Sequence, residues 1–369
     1  MQQIEKIEVF QSRIPLKKPF VISLEKLTHA ENIIVAIYTS GGITGYGECS
    51  PFKTINGESM ETAWLVSNYL AKVLLHKNAL DIEHRISDMD KVIYANSSIK
   101  SAFDIALHDI ASQHAGMPLY AFLGGKNNKI LQTDYTVSLG EPDEMAAEAG
   151  KIKDAGFEII KVKLGENGRR DVERIRLIRE KIGVNIPLRL DANQGWDFET
   201  AAKVLRKLSK YNIQFCEEPI PRWDFMRLGE LRNSSPIPVM ADESVCDHHD
   251  AERLIQLHAV THFNVKLGKS SGIFKARKIA VLAEKAGILL QVGGFLESRL
   301  AFTASAHLAL SGKQIHYVDF DTPLMLETDP VEGGISYSPN GTITVPDNPG
   351  LGAKPNYNYL AGLPVKTFV

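Results

Sequence analysis

Cysteine is scarce in this sequence. Only Cys49, Cys216 and Cys246 occur among 369 residues, and no two of them form a CxxC pair. An odd number of scattered cysteines excludes a disulfide framework as the basis of the fold and argues against a cysteine zinc site. We therefore expect three reduced thiols, most of them buried.

Long apolar runs and glycine-rich phosphate loops are also missing. The chain has no run of 18 apolar residues, and its start, MQQIEKIEVFQSRIPL, alternates like a β-strand and lacks the apolar segment of a signal peptide. Neither a Walker nor a Rossmann glycine pattern occurs, which argues against a nucleotide enzyme. We expect a cytoplasmic protein without a membrane partner.

No charge of one sign dominates the composition. Lysine and arginine number 42 against 44 aspartates and glutamates, so no broad field attracts nucleic acid or anionic lipid. Apolar residues make up 44% and charged residues 23%, which is typical of a soluble globular protein. We expect a small-molecule substrate, no nucleic-acid partner, and a homo-oligomer.

Two kinds of pattern divide the chain. Residues 4–50 alternate like antiparallel strands, and residues 60–116 are helical in pattern. Beyond them, eight short strand candidates alternate with amphipathic helices, which is the count for a (β/α)8 barrel. We predict an α/β protein with a modified, TIM-like (β/α)8 barrel at residues 126–329 and an N-terminal α+β capping domain at residues 1–125. Residues 330–369, approximately, are expected to pack back on the capping domain.

One polar or glycine residue marks the C-terminal end of each predicted barrel strand from the second to the eighth. These residues recur at intervals of 28, 26, 25, 24, 28 and 25 positions: Lys163, Asp191, Glu217, Asp242, Lys266, Gly294 and Asp319. The C-terminal ends of barrel strands form the active-site face. The spacing therefore predicts that these residues gather at one mouth of the barrel.

Three of these residues are carboxylates on adjacent strands. Asp191, Glu217 and Asp242 would repel one another unless a cation lay among them, and ligands that are all oxygen favour Mg²⁺ over zinc. Each residue alone could instead be a helix cap, a solvated rim charge or a turn residue. Their occurrence in three successive repeats favours a Mg²⁺ site.

Lysines end the second and the sixth strands, which are opposed in an eight-stranded barrel. Lys161 and Lys163 share a face of the second strand, and Lys266 ends the sixth. Nearby positive charge should lower the pKa of these lysines toward the range useful for proton transfer. We predict that Lys163 and Lys266 remove and return an α-proton on opposite faces of a carboxylate substrate, while the metal and Lys161 stabilise the enolate. The predicted reaction is racemisation or epimerisation.

The stretch HYVDFDTPLML, residues 316–326, holds two further carboxylates. Within a strand, Asp319 and Asp321 would point the same way and Phe320 the opposite way. Such a pair needs a cation, and it would stand opposite the metal site because the eighth strand faces the fourth. The free α-ammonium group of a dipeptide would supply that cation. A solvated strand-end cap is the alternative interpretation.

The combined motifs resemble the enolase superfamily, specifically its muconate-lactonising subgroup. The likeness runs from PLKKPF to NPGLG and includes KVK, the D…E…D series and the lysine of the sixth strand, while the D-x-D of the eighth is similar to the signature of dipeptide epimerases. Such sites use a lysine or histidine base with Mg²⁺. The resemblance implies a Mg²⁺ cofactor on Asp191, Glu217 and Asp242, acid/base catalysis by Lys163 and Lys266, and substrate contacts from Lys161 and Thr136.

The resemblance leaves the reaction open. Cycloisomerases, o-succinylbenzoate synthases and N-acylamino acid racemases of the subgroup share the metal and the lysines, and only the D-x-D pair favours a dipeptide epimerase. Glu25 corresponds to a position that is basic in Ala-Glu epimerases, so it should repel an acidic second residue. Gly294, Phe295 and Leu296 offer an apolar wall. We predict Ala-Xaa substrates with a small or hydrophobic Xaa, or alternatively a cationic Xaa that pairs with Glu25.

Overall fold

The N-terminal part of the molecule is an antiparallel sheet covered by helices. The computed structural model describes residues 2–369. Alternating apolar residues in the long first two strands bury one face of the sheet against the longest helix. The elements are β1 (Ile4–Val21), β2 (Lys26–Thr39), β3 (Thr44–Cys49), α1 (Met60–Leu74), α2 (Ile82–Val92), α3 (Ser97–His114) and α4 (Leu119–Phe122).

The second part is a barrel of alternating strands and helices. Eight parallel strands, β5 to β12, follow one another in sequence order around the sheet, and a Thr133–Val318 bridge links its first and last strands. The predicted barrel with an α+β cap is confirmed, and the helix after the eighth strand is a single short turn. The elements are β4 (Leu131–Gln132), β5 (Tyr135–Val137), α5 (Pro142–Asp154), β6 (Ile160–Lys163), α6 (Gly168–Ile182), β7 (Leu188–Asp191), α7 (Phe198–Leu208), β8 (Ile213–Glu217), a 3-10 helix (Arg222–Arg227), α8 (Leu228–Ser234), β9 (Val239–Ala241), α9 (His248–Gln256), β10 (His262–Lys266), α10 (Ile273–Ala286), β11 (Leu289–Gly293), α11 (Arg299–Ser311), β12 (Ile315–Val318) and α12 (Thr322–Met325).

The last residues contact both parts of the molecule. The final strand pairs antiparallel with β1, and a short hairpin pairs with β4 at the foot of the barrel. The elements are β13 (Val331–Gly333), β14 (Ser336–Tyr337), β15 (Thr342–Thr344), β16 (Ala353–Pro355), α13 (Tyr357–Ala361) and β17 (Val365–Phe368). The end of the chain thus completes the capping sheet. Among the described residues, no helix combines the length and apolar character needed to cross a membrane.

Alternation along the barrel strands separates apolar from charged side chains. In β6, Ile160 and Val162 join the core that the surrounding helices share. Lys161 and Lys163 take the intervening positions, and successive side chains of a strand point to opposite faces. The charged residues of these strands therefore point into the barrel.

A buried glutamate joins the capping domain to the barrel. Glu48, at the end of β3, accepts hydrogen bonds from the backbone N–H of Ser298 (3.0 Å) and of Ala301 (3.2 Å), and from the Ser298 hydroxyl (2.7 Å). A carboxylate at a helix N-terminus is stabilised by the free N–H groups and the helix dipole. Glu48 thus fixes the cap against α11, directly after the loop that lines the candidate site.

Candidate active site

The strand ends bring the predicted residues to one level of the barrel. Lys163 pairs with Asp191, and Asp191 with Glu217, in the registers of β6, β7 and β8. Lys266 ends β10, and Asp242 directly follows β9. The regular spacing in the sequence therefore corresponds to a shared height at the mouth.

The three predicted metal ligands are fully buried. Asp191, Glu217 and Asp242 each have 0% of their surface exposed. Burial and the carboxylate of Asp191 raise the pKa of Glu217 to about 7, with a smaller contribution from Asp242. Burial opposes the ionisation of Asp191 and Asp242, but the neighbouring lysines hold the pKa values of both carboxyl groups below the ordinary value. A cation among the three carboxylates would relieve the repulsion that remains at Glu217.

Neighbouring side chains orient these carboxylates. The Asn264 amide donates to Glu217 Oε1 at 2.6 Å, and Lys161 Nζ donates to Glu217 Oε2 at 2.8 Å. Lys269 is fully buried and donates to Asp242. Three buried oxygen donors held by such partners suit Mg²⁺, whose protein ligands are oxygens and whose affinity depends on the residues that orient them.

The lysines contact these carboxylates directly. Lys163 Nζ lies 2.6 Å from Asp191 Oδ2, and Lys266 Nζ lies 2.7 Å from Asp242 Oδ2. Burial opposes the charged form of Lys266, but the carboxylates of Asp242 and Glu217 hold its pKa above the ordinary value. The expectation of a lowered lysine pKa is wrong for Lys266 as it stands here, because adjacent carboxylates outweigh neighbouring ammonium groups.

One cavity at the barrel mouth contains the reactive groups. It is lined by the three lysines of the predicted site and by apolar residues from the cap and the loop after β11: Lys161, Lys163, Lys266, Phe20, Ile22, Phe52, Ile55, Phe295 and Leu296. Thr136, Gly294, Asp319 and Asp321 also line it. Since β6 and β10 are the second and sixth strands, Lys163 and Lys266 approach this cavity from opposite sides of the barrel.

The two aspartates of the D-x-D motif lie just beyond their strand rather than within it. β12 ends at Val318, and Asp321 already has the helical backbone angles φ −85° and ψ −20° that precede α12. The in-strand placement is therefore wrong, although both carboxylates line the cavity. Phe320 packs away from it against Phe302, with ring centroids 5.3 Å apart.

The D-x-D carboxylates have different partners. Asp319 Oδ2 accepts a hydrogen bond from Lys161 Nζ (2.8 Å), and Asp321 Oδ2 accepts one from the backbone N–H of Thr136 (2.7 Å). Burial opposes the ionisation of Asp319, but Lys161 holds its pKa below the ordinary value. Burial and the Asp319 carboxylate raise the pKa of Asp321 to about 7. Asp319 thus has a cationic partner, whereas Asp321 has only a neutral donor.

Glu25 lies outside the substrate cavity. Its carboxylate accepts a hydrogen bond from the Thr54 hydroxyl at 2.5 Å, and it lines a neighbouring outer cavity together with Arg13 and Lys26.

Gly294 is fixed by packing, since a Cβ there would lie 2.5 Å from the Phe302 ring. Phe295 and Leu296 line the substrate cavity, whereas Glu25 does not.

Sequence reasoning missed several residues at the site. Lys269 lies in the turn that follows β10, three residues after Lys266, and this closeness in sequence could have suggested a second ammonium group near Asp242. Asp134 precedes Thr136 by two positions, which places both on the inner face by strand period. Asp134, Asp319 and Asp321 each offer a carboxylate oxygen, and the three oxygens lie within 4.8 Å of one another.

The sequence matches two family models. The Mandelate racemase / muconate lactonizing enzyme, N-terminal domain, matches residues 4–124, and the Enolase C-terminal domain-like family matches residues 144–359. Together the two matches cover most of the capping domain and most of the barrel.

Individual relatives cover nearly the whole chain. The D-Ala-D/L-Ala epimerase of Cytophaga hutchinsonii is 59% identical over 98% of this chain and 98% of its own. The L-Ala-D/L-Glu epimerase of Bacillus subtilis is 39% identical over 95% of this chain and 96% of its own. A crystal structure of the dipeptide epimerase from Cytophaga hutchinsonii, complexed with Mg and D-Ala-L-Val, is 58% identical, has a TM-score of 0.99, and covers 100% of both chains.

Proposed function

The chain belongs to the mandelate racemase / muconate lactonizing enzyme family of the enolase superfamily, and we propose that it epimerises dipeptides composed of D-alanine and a small or hydrophobic second residue. It is an isomerase with Mg²⁺ as cofactor, as the sequence resemblance implied. The stereocentre that inverts is the α-carbon of the C-terminal residue. The observation that carries the proposal is one cavity that joins two opposed lysines to the paired carboxylates of Asp319 and Asp321.

Asp191, Glu217 and Asp242 are proposed to hold the cofactor. They are buried oxygen donors that contact the lysines of the site, and burial together with the Asp191 carboxylate raises the pKa of Glu217. When bound, Mg²⁺ supplies Lewis-acid stabilisation of the substrate carboxylate as negative charge develops on it. Such charge near the lysines would also offset the carboxylates that raise the pKa of Lys266.

Lys163 and Lys266 are proposed to exchange the α-proton. One neutral lysine takes the proton from the α-carbon, and the electron pair of the C–H bond moves into the adjacent carboxylate. The opposite lysine, as an ammonium group, then donates a proton to the other face, so configuration inverts without net change in atoms. Lys161, which lies between Glu217 and Asp319, supplies positive charge to the substrate carboxylate.

Asp319 and Asp321 are proposed to bind the α-ammonium group of the dipeptide. Both line the cavity. Asp319 is paired with Lys161, whereas Asp321 accepts from a backbone N–H and has no cationic partner among the described residues. Substrates of cycloisomerases and of o-succinylbenzoate synthases bring no such cation, and N-acylamino acids have none at this position. The pair therefore favours a dipeptide over the alternatives within the family.

The second residue of the dipeptide is proposed to face an apolar surface. Phe52 and Phe295 pack with ring centroids 5.2 Å apart, and Ile22 and Ile55 complete this side of the cavity. No charged residue of the cap contacts this surface among the described residues that line the cavity. D-alanine as the first residue is supported by the likeness to the Cytophaga hutchinsonii enzyme.

Incubation with a dipeptide library in D₂O tests the proposal. D-Ala-L-Ala and D-Ala-L-Val should gain one deuterium at the C-terminal α-carbon and convert to the D-epimer, as measured by mass spectrometry and chiral chromatography. Addition of a chelator should stop both processes. Failure of the Mg²⁺-loaded enzyme to exchange any dipeptide would contradict the proposed function.

The expectations of a homo-oligomer and of a cytoplasmic location remain predictions. Size-exclusion chromatography with light scattering would measure the mass in solution, and fractionation of the source cells would locate the protein.

A further inference from the structure

Asp134 is a buried carboxylate that the proposed reaction does not use. It has 0% of its surface exposed, and its Oδ2 atom accepts a hydrogen bond from Arg189 Nη1 at 2.9 Å. Its Oδ1 atom has no hydrogen-bond partner among residues 2–369. A buried polar atom without a partner carries the full cost of its lost hydration, so a missing ligand is the natural explanation.

Asp134 faces the D-x-D pair. One carboxylate oxygen from each of Asp134, Asp319 and Asp321 lies within 4.8 Å of the others. Burial and the Asp319 carboxylate raise the pKa of Asp134, although Arg189 opposes this effect. The Asp319 carboxylate thus opposes the ionisation of its two neighbours, and a cation among the three groups would offset this repulsion.

One oxygen of each carboxylate has a donor in the protein. Arg189 donates to Asp134, Lys161 to Asp319, and the backbone of Thr136 to Asp321. The Oδ1 atom of Asp134 has no donor within residues 2–369. The cluster therefore contains a buried acceptor that the protein does not satisfy.

A primary ammonium group has the complementary set of donors. It carries three N–H bonds in tetrahedral directions, and acceptors about 2.9 Å from its nitrogen lie about 4.7 Å apart. Oxygens within 4.8 Å of one another can surround such a group. Asp319 and Asp321 line the cavity, and one oxygen of the fully buried Asp134 lies within 4.8 Å of an oxygen of each.

We propose that Asp134 is a third carboxylate of the ammonium site, so that the site selects dipeptides with an unmodified primary amine. This inference rests on the proposed dipeptide epimerase function and deepens it. Hydrogen bonds to charged groups are strong in low dielectric, and an N-acyl or N-alkyl group would leave at least one of the three oxygens without a donor.

The test compares Asp134→Asn with the wild-type enzyme and with Asp109→Asn. Asparagine keeps an oxygen for Arg189 and removes the charge. Asp109 is a matched control because it is also buried but accepts from Tyr46 and Leu351 and does not line the cavity. The ligands are D-Ala-L-Val and N-propionyl-L-valine, which has the same shape without the amine. Binding of Mg²⁺ alone is measured by isothermal titration calorimetry.

We expect Asp134→Asn to raise KM for D-Ala-L-Val roughly 10- to 100-fold, because hydrogen bonds to charged groups contribute roughly 1.5–3 kcal/mol. The inhibition constant of N-propionyl-L-valine and the affinity for Mg²⁺ should stay at wild-type values. Asp109→Asn should leave the ratio of the two ligand affinities unchanged.

Three results would overturn the inference. They are an unchanged KM for the dipeptide, an equal loss of affinity for both ligands, and a loss of Mg²⁺ binding, which would make the cluster a metal site. If Asp134→Asn does not fold, the affinity of the wild-type enzyme for N-methyl-D-Ala-L-Val tests the inference instead. This affinity should be at least tenfold weaker than the affinity for D-Ala-L-Val. Equal affinities would refute the third donor contact. A wild-type enzyme that epimerises no dipeptide would instead refute the proposed function.

Discussion

The Nζ atom of Lys161 lies 2.8 Å from Oδ2 of Asp319, so a lysine of the second barrel strand is bonded to a carboxylate at the end of the eighth. The same ammonium group lies 2.8 Å from Glu217 Oε2. One buried cation thus connects the proposed metal site with the proposed ammonium site. The two ends of a bound dipeptide would therefore be positioned relative to a shared charge.

Replacement of Lys161 by methionine should destabilise the Mg²⁺-free protein by about 3–5 kcal/mol. It removes the ammonium group that pairs with three buried carboxylates, those of Asp191, Glu217 and Asp319. Added Mg²⁺ should recover part of this loss, since the ion neutralises Glu217 directly. Thermal unfolding with and without Mg²⁺ measures both effects. Lys129→Met is the control, because Lys129 donates to the carbonyl groups of Gly312 and Ile315 outside the cavity. Equal melting temperatures for the Lys161 variant and the wild type would contradict the assigned role.

Replacement of Lys163 or of Lys266 by alanine should reduce epimerisation by roughly 10²- to 10⁴-fold, the usual contribution of a positioned acid or base. Each variant should still exchange the α-proton of one epimer, because the remaining lysine serves one face. NMR of D-Ala-L-Val and of D-Ala-D-Val in D₂O would show which epimer exchanges. Identical behaviour of the two variants toward both epimers would exclude a two-base mechanism.

Each reactive lysine also lies over an aromatic ring. Lys163 Nζ is 5.7 Å from the Phe20 ring centre, and Lys266 Nζ is 5.1 Å from the Phe295 ring centre. A cation near an aromatic face gains about 0.5–2 kcal/mol. Phe20→Leu should therefore change the exchange rate of the epimer served by Lys163 by about 2- to 30-fold, and Phe295→Leu that of the other epimer. Each variant is the control for its counterpart, and equal effects on both epimers would rule out the specific pairing.

Asp109 should make stability depend on pH. Burial raises the pKa of this carboxyl group to about 6, above the ordinary value of 3.8. A raised carboxyl pKa means that the folded state binds the proton more tightly, so this contribution is fully present below about pH 4 and is lost as pH rises through about 6. The unfolding free energy of Asp109→Asn minus that of the wild type should rise by up to about 3 kcal/mol between pH 4 and 8. Urea unfolding at several pH values measures this difference, and a constant difference would disprove the assignment.

Much of the site was determined by the sequence alone, because its residues end strands of a regular repeat. Local alternation and a spacing of 24 to 28 residues were enough to place Lys163, Asp191, Glu217 and Lys266 at one level, since every parallel strand starts and ends at a similar height. Composition likewise indicated a globular protein with a small substrate.

Only the tertiary structure decided which side chains outside that repeat meet the cavity. Glu25 belongs to the cap and bonds Thr54 away from the cavity, while Ile22 of the same loop lines it. Asp134 directly precedes the first barrel strand, whereas Asp319 and Asp321 follow the eighth. These residues lie close together because the barrel closes between its first and eighth strands. Loop conformation and barrel closure depend on contacts between residues far apart in the chain, and no local pattern encodes those contacts.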